Sequence, residues 1–397
     1  MHELLQDADL CVKCGLCLPC CPTYQQTENE NESPRGRIAL IQAYAGGHLD
    51  ATPPLLAHID NCLLCRACEK VCPAEVPYGR LIDRFRARTE SLQPFSSAAA
   101  LLKWTATHHT LNRWAQAGLR FYQRHSLQRL GLLRLLNLGE MNRLLPAVNA
   151  PTTSLKSDYS ASGTTKGEVG LFTGCMGTLL DPATLHATIK CLTAAGFHVH
   201  VPAAQICCGA LAQHDGNATI ANRLAEQNCR AFAIPRLTAI VSIASGCGAQ
   251  LQEYQTTALA EKVVDVSLFL SENADFSDRL IPLPATVCLH TPCSLKNVMH
   301  EEQGALALLQ QIPQLNIVEL PITTFCCGAA GSYVLKHPRM ANALVDQVLD
   351  AAIATQADTL ITSNIGCALH IAAGLRERGK NMQVLHPVVL LAQQLRK

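Results

Sequence analysis

This 397-residue chain has little net charge, no long apolar run and none of the common nucleotide-cradling loops. Its 32 basic side chains against 31 acidic ones leave a formal charge of +1, so the balance gives no reason to expect nucleic acid as a partner. No uninterrupted apolar stretch approaches the roughly 18 residues of a membrane span, so any membrane contact is expected to be peripheral. The opening Met1-His2-Glu3-Leu4-Leu5-Gln6-Asp7 has neither the basic start nor the apolar stretch of a secretory leader, which makes a cytoplasmic protein the expectation. No Gly-x-Gly-x-x-Gly follows a strand pattern, no Gly-x-x-x-x-Gly-Lys-Ser/Thr occurs and no Cys-x-x-Cys is followed by His. These absences argue against a dinucleotide cradle, a P-loop and a c-type haem. With no flavin pattern visible either, hydride or carbanion chemistry on an organic substrate is expected on another chain. Extensive disorder is excluded as well, because 48% apolar and 16% charged residues suffice for sizeable cores in two or three domains.

What the sequence has in excess is cysteine, 20 residues in all. Without a leader these read as reduced thiolates that hold metal rather than as a disulfide framework. Cys11, Cys14, Cys17 and Cys21 follow the pattern C-x2-C-x2-C-x3-C, as do Cys62, Cys65, Cys68 and Cys72, and each run is closed by proline, Pro22 and Pro73. In bacterial two-cluster ferredoxins the fourth Cys of each such run serves the other cluster. One [4Fe-4S] cluster is therefore expected on Cys11, Cys14, Cys17 and Cys72, and the other on Cys62, Cys65, Cys68 and Cys21. Three thiolates on one tight loop cap three irons of a cubane, and exchanging the fourth ligands clamps the two loops together. Zinc knuckles, the alternative, show two spaced pairs rather than two identical runs of four. Cys20, beside Cys21, is read as a non-ligand.

Forty residues separate Cys21 from Cys62, and Arg37 to Tyr44 reads as a helix stopped by Gly46-Gly47. Residues 1–94 are accordingly expected to form a mostly helical ferredoxin-like domain. Arg35 and Arg37, in Ser33-Pro34-Arg35-Gly36-Arg37, are read as solvated or structural in preference to facing a partner. From Phe95 to about Pro146 the pattern is helical and basic, with Lys103, Arg113, Arg120, Arg124, Arg129, Arg134 and Arg143 and no acid between Glu90 and Glu140. A helical connector over residues 95–165 is expected, and contact with an anionic membrane surface is the second reading of the same pattern. Its last part, Ala150 to Lys166, is rich in Ser, Thr, Gly and Lys and reads as a linker.

The second half repeats itself. Cys175, the pair Cys207-Cys208 with Gly209, and Cys247 recur as Cys293, the pair Cys326-Cys327 with Gly328, and Cys367, at offsets of 118, 119 and 120 residues. Two tandem units are expected, 166–283 and 284–397. Short apolar runs, Val169–Phe172 and Ala239–Ile243 in the first unit, Thr286–His290 and Thr359–Ser363 in the second, alternate with helical stretches such as Pro182–Ala195 and Ala218–Ala233. Alternating strands and helices imply α/β units on a largely parallel sheet, with ligands gathered at the carboxyl ends of the strands. The fold class is thus α/β overall, behind a helical N-terminal domain. Each unit supplies four thiols, on loops that carry small residues, Gly174-Cys175-Met176-Gly177, Cys207-Cys208-Gly209 and Ser245-Gly246-Cys247-Gly248 in the first unit, where adjacent glycines let a backbone approach an inorganic core closely. Cys191, Cys229 and Cys288 have no counterpart and are read as ordinary buried cysteines.

With both motifs in view, the chain resembles the cysteine-rich (CCG) domain proteins, closest in pattern to the glycolate oxidase iron-sulfur subunits. The likeness is carried by Cys207-Cys208-Gly209-Ala210-Leu211, Ala244-Ser245-Gly246-Cys247-Gly248, His290-Thr291-Pro292-Cys293-Ser294-Leu295, Cys326-Cys327-Gly328-Ala329-Ala330-Gly331-Ser332-Tyr333 and Asn364-Ile365-Gly366-Cys367, together with the ferredoxin runs and the Ser33–Arg37 phrase. The resemblance implies an electron-transfer subunit of a flavin-dependent 2-hydroxy-acid dehydrogenase that converts glycolate to glyoxylate. It implies FAD on a partner oxidase subunit, a quinone or other acceptor, and peripheral attachment at the cytoplasmic face of the inner membrane. It also implies a further iron-sulfur cluster or metal ion in each CCG unit, on Cys175, Cys207, Cys208 and Cys247 and on Cys293, Cys326, Cys327 and Cys367. D-lactate and glycerol-3-phosphate dehydrogenase subunits share the pattern, as does heterodisulfide reductase, whose catalytic units end each motif in Cys-x-x-Cys. Here Gln250 and His370 stand at those last positions, so five-thiolate clusters are not expected, and His370 is a candidate nitrogen ligand or an ordinary hydrogen-bonded histidine. A purely structural zinc in each CCG unit is the non-redox alternative.

Overall fold

A computed structural model of the protein describes residues 1–92, 118, 121–122, 124, 139–146, 155–255, 257–321 and 326–396. Most of the basic stretch from Phe95 to Pro146, and with it the choice between connector and membrane-surface helix, lies outside the described residues.

The N-terminal part is helical, with helices His2–Asp9, Pro22–Thr27, Pro34–Ala45, Pro53–Asp60, Ala67–Lys70 and Tyr78–Arg88. Pro22, Pro34 and Pro53 open three of them, where the missing N–H costs nothing and the fixed φ already suits a helix. Ser33 caps the third by accepting from the Gly36 amide, and a Cβ on Gly36 would stand 1.9 Å from the Glu30 carbonyl oxygen, so only glycine fits there. That helix ends at Gly46, in line with the reading of Arg37 to Tyr44. Leu4, Ile38, Ile41, Ile59, Leu81, Ile82 and Phe85 form the core of the domain. Arg37 is not solvated: it is 1% exposed and tied to Glu32 at 2.5 Å, Thr23 at 3.1 Å and the His58 carbonyl at 2.7 Å, a structural role.

Two sheets follow. The first contains β1 (Asp158–Tyr159), β2 (Gly167–Phe172), β3 (Phe197–His200), β4 (Leu237–Ser242) and β5 (Val263–Asp265) in the order β1-β3-β2-β4-β5, parallel except for β1. The second contains β6 (Thr286–Leu289), β7 (Asn316–Glu319), β8 (Thr359–Ile361) and β9 (Gln383–Leu385) in the order β7-β6-β8-β9, all parallel. Leaving β1 aside, both sheets share one winding, second strand, first, third, fourth, as the duplicated sequence requires. The linker reading of Ala150 to Lys166 needs correction at Asp158-Tyr159, which pairs antiparallel with His200-Val199 as an edge strand.

The two units are not independent beads. Helix Pro387–Gln394, at the end of the second, packs on helix Pro182–Ala194 of the first, with Lys190 Nζ 2.6 Å from the Ala392 carbonyl. Helix Val266–Asn273 packs on helix Gln303–Leu309 so closely that a Cβ on Gly304 would lie 2.5 Å from Leu268 Cα. One apolar core consequently contains Val169, Leu192, Val266 and Leu270 of the first unit with Leu289, Leu308, Ile361 and Leu391 of the second. Each such side chain contributes about 1.5–3 kcal/mol by leaving water. Cys191 and Cys288 are fully buried in these cores and Cys229 is half-buried against them, the unexceptional roles expected of them.

Candidate metal centres

In each sheet the winding reverses between the first and third strands, and ligands gather beyond the carboxyl ends at such a switch point. Cys175 opens the helix that follows β2, Cys247 sits in the helix that follows β4, and the Cys207-Cys208 pair lies on the loop after β3. In the second unit Cys293, Cys327 with Cys326, and Cys367 follow β6, β7 and β8 in the same way. The glycine of each pair has left-handed backbone, φ +91° at Gly209 and +77° at Gly328, and so turns the chain back over its two cysteines.

The sulfurs converge. Cys175 Sγ lies 3.5 Å from Cys207 Sγ, Cys208 Sγ 3.4 Å from Cys247 Sγ, and Cys293 Sγ 3.7 Å from Cys326 Sγ. Tyr254 donates to the Cys208 carbonyl at 2.7 Å and Asn228 to the Cys207 carbonyl at 3.0 Å, which holds the first pair in place. Asn364 Nδ2 donates to Cys367 Sγ at 3.4 Å, a bond that the sequence signalled only as a polar residue three positions before the cysteine. The thiols of Cys175, Cys208 and Cys327 are held well above the ordinary range, first by hydrogen bonding to a neighbouring sulfur and then by burial. The hydrogen bond from Cys293 to Cys326 pushes the donor Cys293 up and the acceptor Cys326 down. Four soft donors crowded in an apolar place resist losing all four protons unless a cation takes up the charge, and this donor set fits an iron-sulfur or other thiophilic centre. Because the Ser245 amide donates to the Ser363 carbonyl at 3.1 Å, the strand ends of the two sheets meet, and all eight cysteines line one cavity of about 270 Å³.

His370 does not join its quartet. Its Nδ1 lies 2.8 Å from the Cys327 carbonyl and its Nε2 3.2 Å from Asn342 Oδ1, and burial pushes it down to about 4. The candidate nitrogen ligand is therefore a buried structural histidine. His290, to which the sequence reading gave no site role beyond its place in the motif, is buried just after β6, 3.0 Å from Thr362 Oγ1, and is pushed down to about 4 by burial.

The ferredoxin cysteines form two smaller cavities. One of about 30 Å³ is lined by Cys11, Cys14, Cys17, Cys68 and Cys72, and one of about 20 Å³ by Cys20, Cys21, Cys62, Cys65 and Cys68, so that Cys68 borders both. The fold thus brings the fourth cysteine of each run to the other run's loop. Cys20 Sγ instead turns to the Cys17 carbonyl at 3.2 Å. The first set faces outward, with Cys14 exposed and the rest half-buried; of the second, only Cys65 is not buried. Cys65 and Cys293 pack against one apolar group that holds Leu63, Cys326 and Tyr333, and the Cys65 carbonyl accepts from Asn297 at 2.8 Å. The helical domain is fastened there by Asp60 with His337 at 2.8 Å and Lys336 at 3.4 Å, Tyr333 with Asn61 at 2.6 Å, Lys70 with Glu302 at 3.1 Å, and Arg66 with Glu253. Burial alone would raise Asp60, but the His337 hydrogen bond and the Lys336 charge hold it well below the carboxylate range. Among the described residues no helix is long and apolar enough to cross a membrane.

Comparison with known proteins agrees with this layout. The family model for the cysteine-rich (CCG) domain matches residues 169–252 and 287–372, and that for the 4Fe-4S dicluster domain matches residues 7–76. The chain is 34% identical to the probable glycolate oxidase iron-sulfur subunit of Bacillus subtilis, over 96% of this chain and 93% of that protein. It is 30% identical to the glycolate oxidase iron-sulfur subunit of Escherichia coli, over 98% and 94% respectively. A lactate utilization protein A 2 of Bacillus cereus is 27% identical over 58% of this chain and 100% of its own length.

Proposed function

We propose, for a chain that belongs to the family of glycolate oxidase iron-sulfur subunits, that it carries electrons away from a flavin-bearing partner subunit which oxidises glycolate to glyoxylate. As an iron-sulfur subunit of a hydroxy-acid oxidase it need not touch the organic substrate. Bound clusters supply one-electron carriers, which a two-electron flavin donor requires. In this reading Cys11, Cys14, Cys17 and Cys72 hold one [4Fe-4S] cluster, and Cys62, Cys65, Cys68 and Cys21 hold the second. Each CCG quartet holds a further iron-sulfur centre.

One observation carries the proposal: Cys65 of the inner ferredoxin set packs with Cys293 and Cys326 of the second quartet. The outer set, with Cys14 exposed, is where a flavoprotein can approach, and the 270 Å³ cavity shared by the quartets is the inward end of the path. A quinone is the acceptor in this reading. The basic stretch before residue 147 supplies peripheral contact with the cytoplasmic face of the inner membrane.

Anaerobic purification with any co-purifying subunit, followed by iron, zinc and sulfide counting and reductive EPR, tests this. About sixteen Fe per chain with two reducible cubanes and a bound flavoprotein supports it. Zinc without sulfide overturns it. Cys68→Ser is expected to abolish one cubane signal together with partner-dependent turnover, and full turnover with unchanged spectra would remove the ferredoxin assignment.

A further inference from the structure

Strand β3 reads Phe-His-Val-His. Its period of two buries Phe197 and Val199 in the core and turns His198 and His200 to the other face. Each imidazole has an acid opposite it on a neighbouring strand: Asp158 of β1 is in register with His200, and Glu168 of β2 with His198. Residues in register share a face, so three strands place two imidazoles and two carboxylates together, and none of the four lines the cavity of the cysteine quartets. His200 Nδ1 lies 2.7 Å from Asp158 Oδ1, His198 Nε2 lies 3.5 Å from the same oxygen, and the two rings stand 4.5 Å apart. One donor atom from each of Asp158, His198 and His200 falls within 4.8 Å of the others.

The second carboxylate shows what the group is arranged for. Glu168 Oε2 lies 2.8 Å from His200 Nε2. A neutral imidazole has one N–H, and when Glu168 accepts it, Nδ1 is left with a lone pair aimed at the Asp158 oxygen. Lone pair and carboxylate repel at that distance unless a cation, a proton or a metal ion, lies between them. Metal-ligating histidines are held in this way, with the outer N–H fixed on a carboxylate and the inner nitrogen free to bind. Two imidazoles and one carboxylate form the donor set of a borderline divalent cation, with a position left for water.

We infer that His198, His200 and Asp158 bind Zn²⁺, with Glu168 as the positioning residue that fixes the His200 tautomer. The ion fastens the two-residue edge strand β1 to β3 and so pins the chain where it joins the first sheet. This site is separate from the thiol quartets and does not depend on their contents.

The test uses the full chain purified anaerobically with its iron and sulfide in place, so that the cluster thiols are already engaged. Zn²⁺ is added and its surroundings are read by zinc X-ray absorption, with affinity measured by chelator competition. One zinc per chain on nitrogen and oxygen donors, with imidazole scattering, is expected, and the paired change His198→Ala with His200→Ala removes it. Glu168→Gln keeps all three ligands and weakens binding by about 10–100-fold. Trypsin cleavage after the exposed Lys156 is expected to slow with Zn²⁺ in the wild type alone. Unchanged metal-free thermal midpoints in the variants show that the fold is retained. Absence of zinc, zinc on sulfur alone, or unaltered affinity in the paired variant would overturn the inference.

Discussion

Arg37 stands in a phrase whose residue types fit several roles, and only its surroundings choose among them. Burial beside Glu32, itself engaged by His58 Nδ1 and Asn61 Nδ2 at 2.7 Å each, makes it half of an interior ion pair under the ferredoxin loops. Removing one member of such a pair strands the other charge away from water. Arg37→Ala is therefore expected to destabilise the protein by about 3–5 kcal/mol, checked by denaturant unfolding of the purified chain. The contrast with the ferredoxin cysteines is instructive. Their spacing alone announced which loop each would occupy, because a short thiolate loop has few ways to surround a cubane. His370 stood where a ligand was conceivable, and no local pattern could reveal that its ring turns to the Cys327 carbonyl and Asn342.

The decisive elements are the strand-end loops. Gly328 combines left-handed backbone with a neighbour so close that an added Cβ would lie 2.5 Å from the Ala341 carbonyl oxygen. Gly47 is also left-handed, at φ +74°, but has nothing within 4 Å. Gly47→Ala should thus cost only the conformational penalty of about 1–2 kcal/mol. Gly328→Ala should in addition displace Cys326-Cys327 and lower the metal content of the second quartet, measured by metal analysis of the two variants side by side. The main strands and the helices between them were legible from alternating short apolar runs and longer periodic stretches. Strand β1 was not, since two residues carry no periodicity and only the neighbouring His200-Val199 makes them a strand.

At the scale of the molecule, the shared core predicts that damage at the chain's end reaches the first unit. Leu391→Ala empties a fully buried site and is expected to cost about 2–5 kcal/mol, with faster amide exchange in helix Pro182–Ala194 as the local readout. The units also meet at a pair of buried acids, where Glu301 accepts from the Asp265 amide at 2.7 Å and from Gln252 at 3.1 Å. Burial pushes Glu301 up to about 7 and Asp265 up to about 6. The unfolded chain releases these protons near pH 4, whereas the folded protein retains them to higher pH. Their contribution to stability is therefore fully present below about pH 4, falls as pH rises towards 7, and levels off above that. Glu301→Gln should gain stability relative to wild type at pH 8 and show a smaller gain at pH 5.5, measured by thermal unfolding at the two values.

By itself the sequence determined the chemistry and the repeat. Thiolate spacing, the doubled cysteine pairs and the constant offset of about 120 residues are local or periodic facts, and a metal needs only a donor type at a spacing. Tertiary structure decided which sets face each other. The eight repeat cysteines share one cavity because the strand ends of the two sheets abut, and Cys65 meets Cys326 because the helical domain is clamped across that junction. Such contacts join residues more than a hundred positions apart through packing and buried charge, which no periodicity along the chain records.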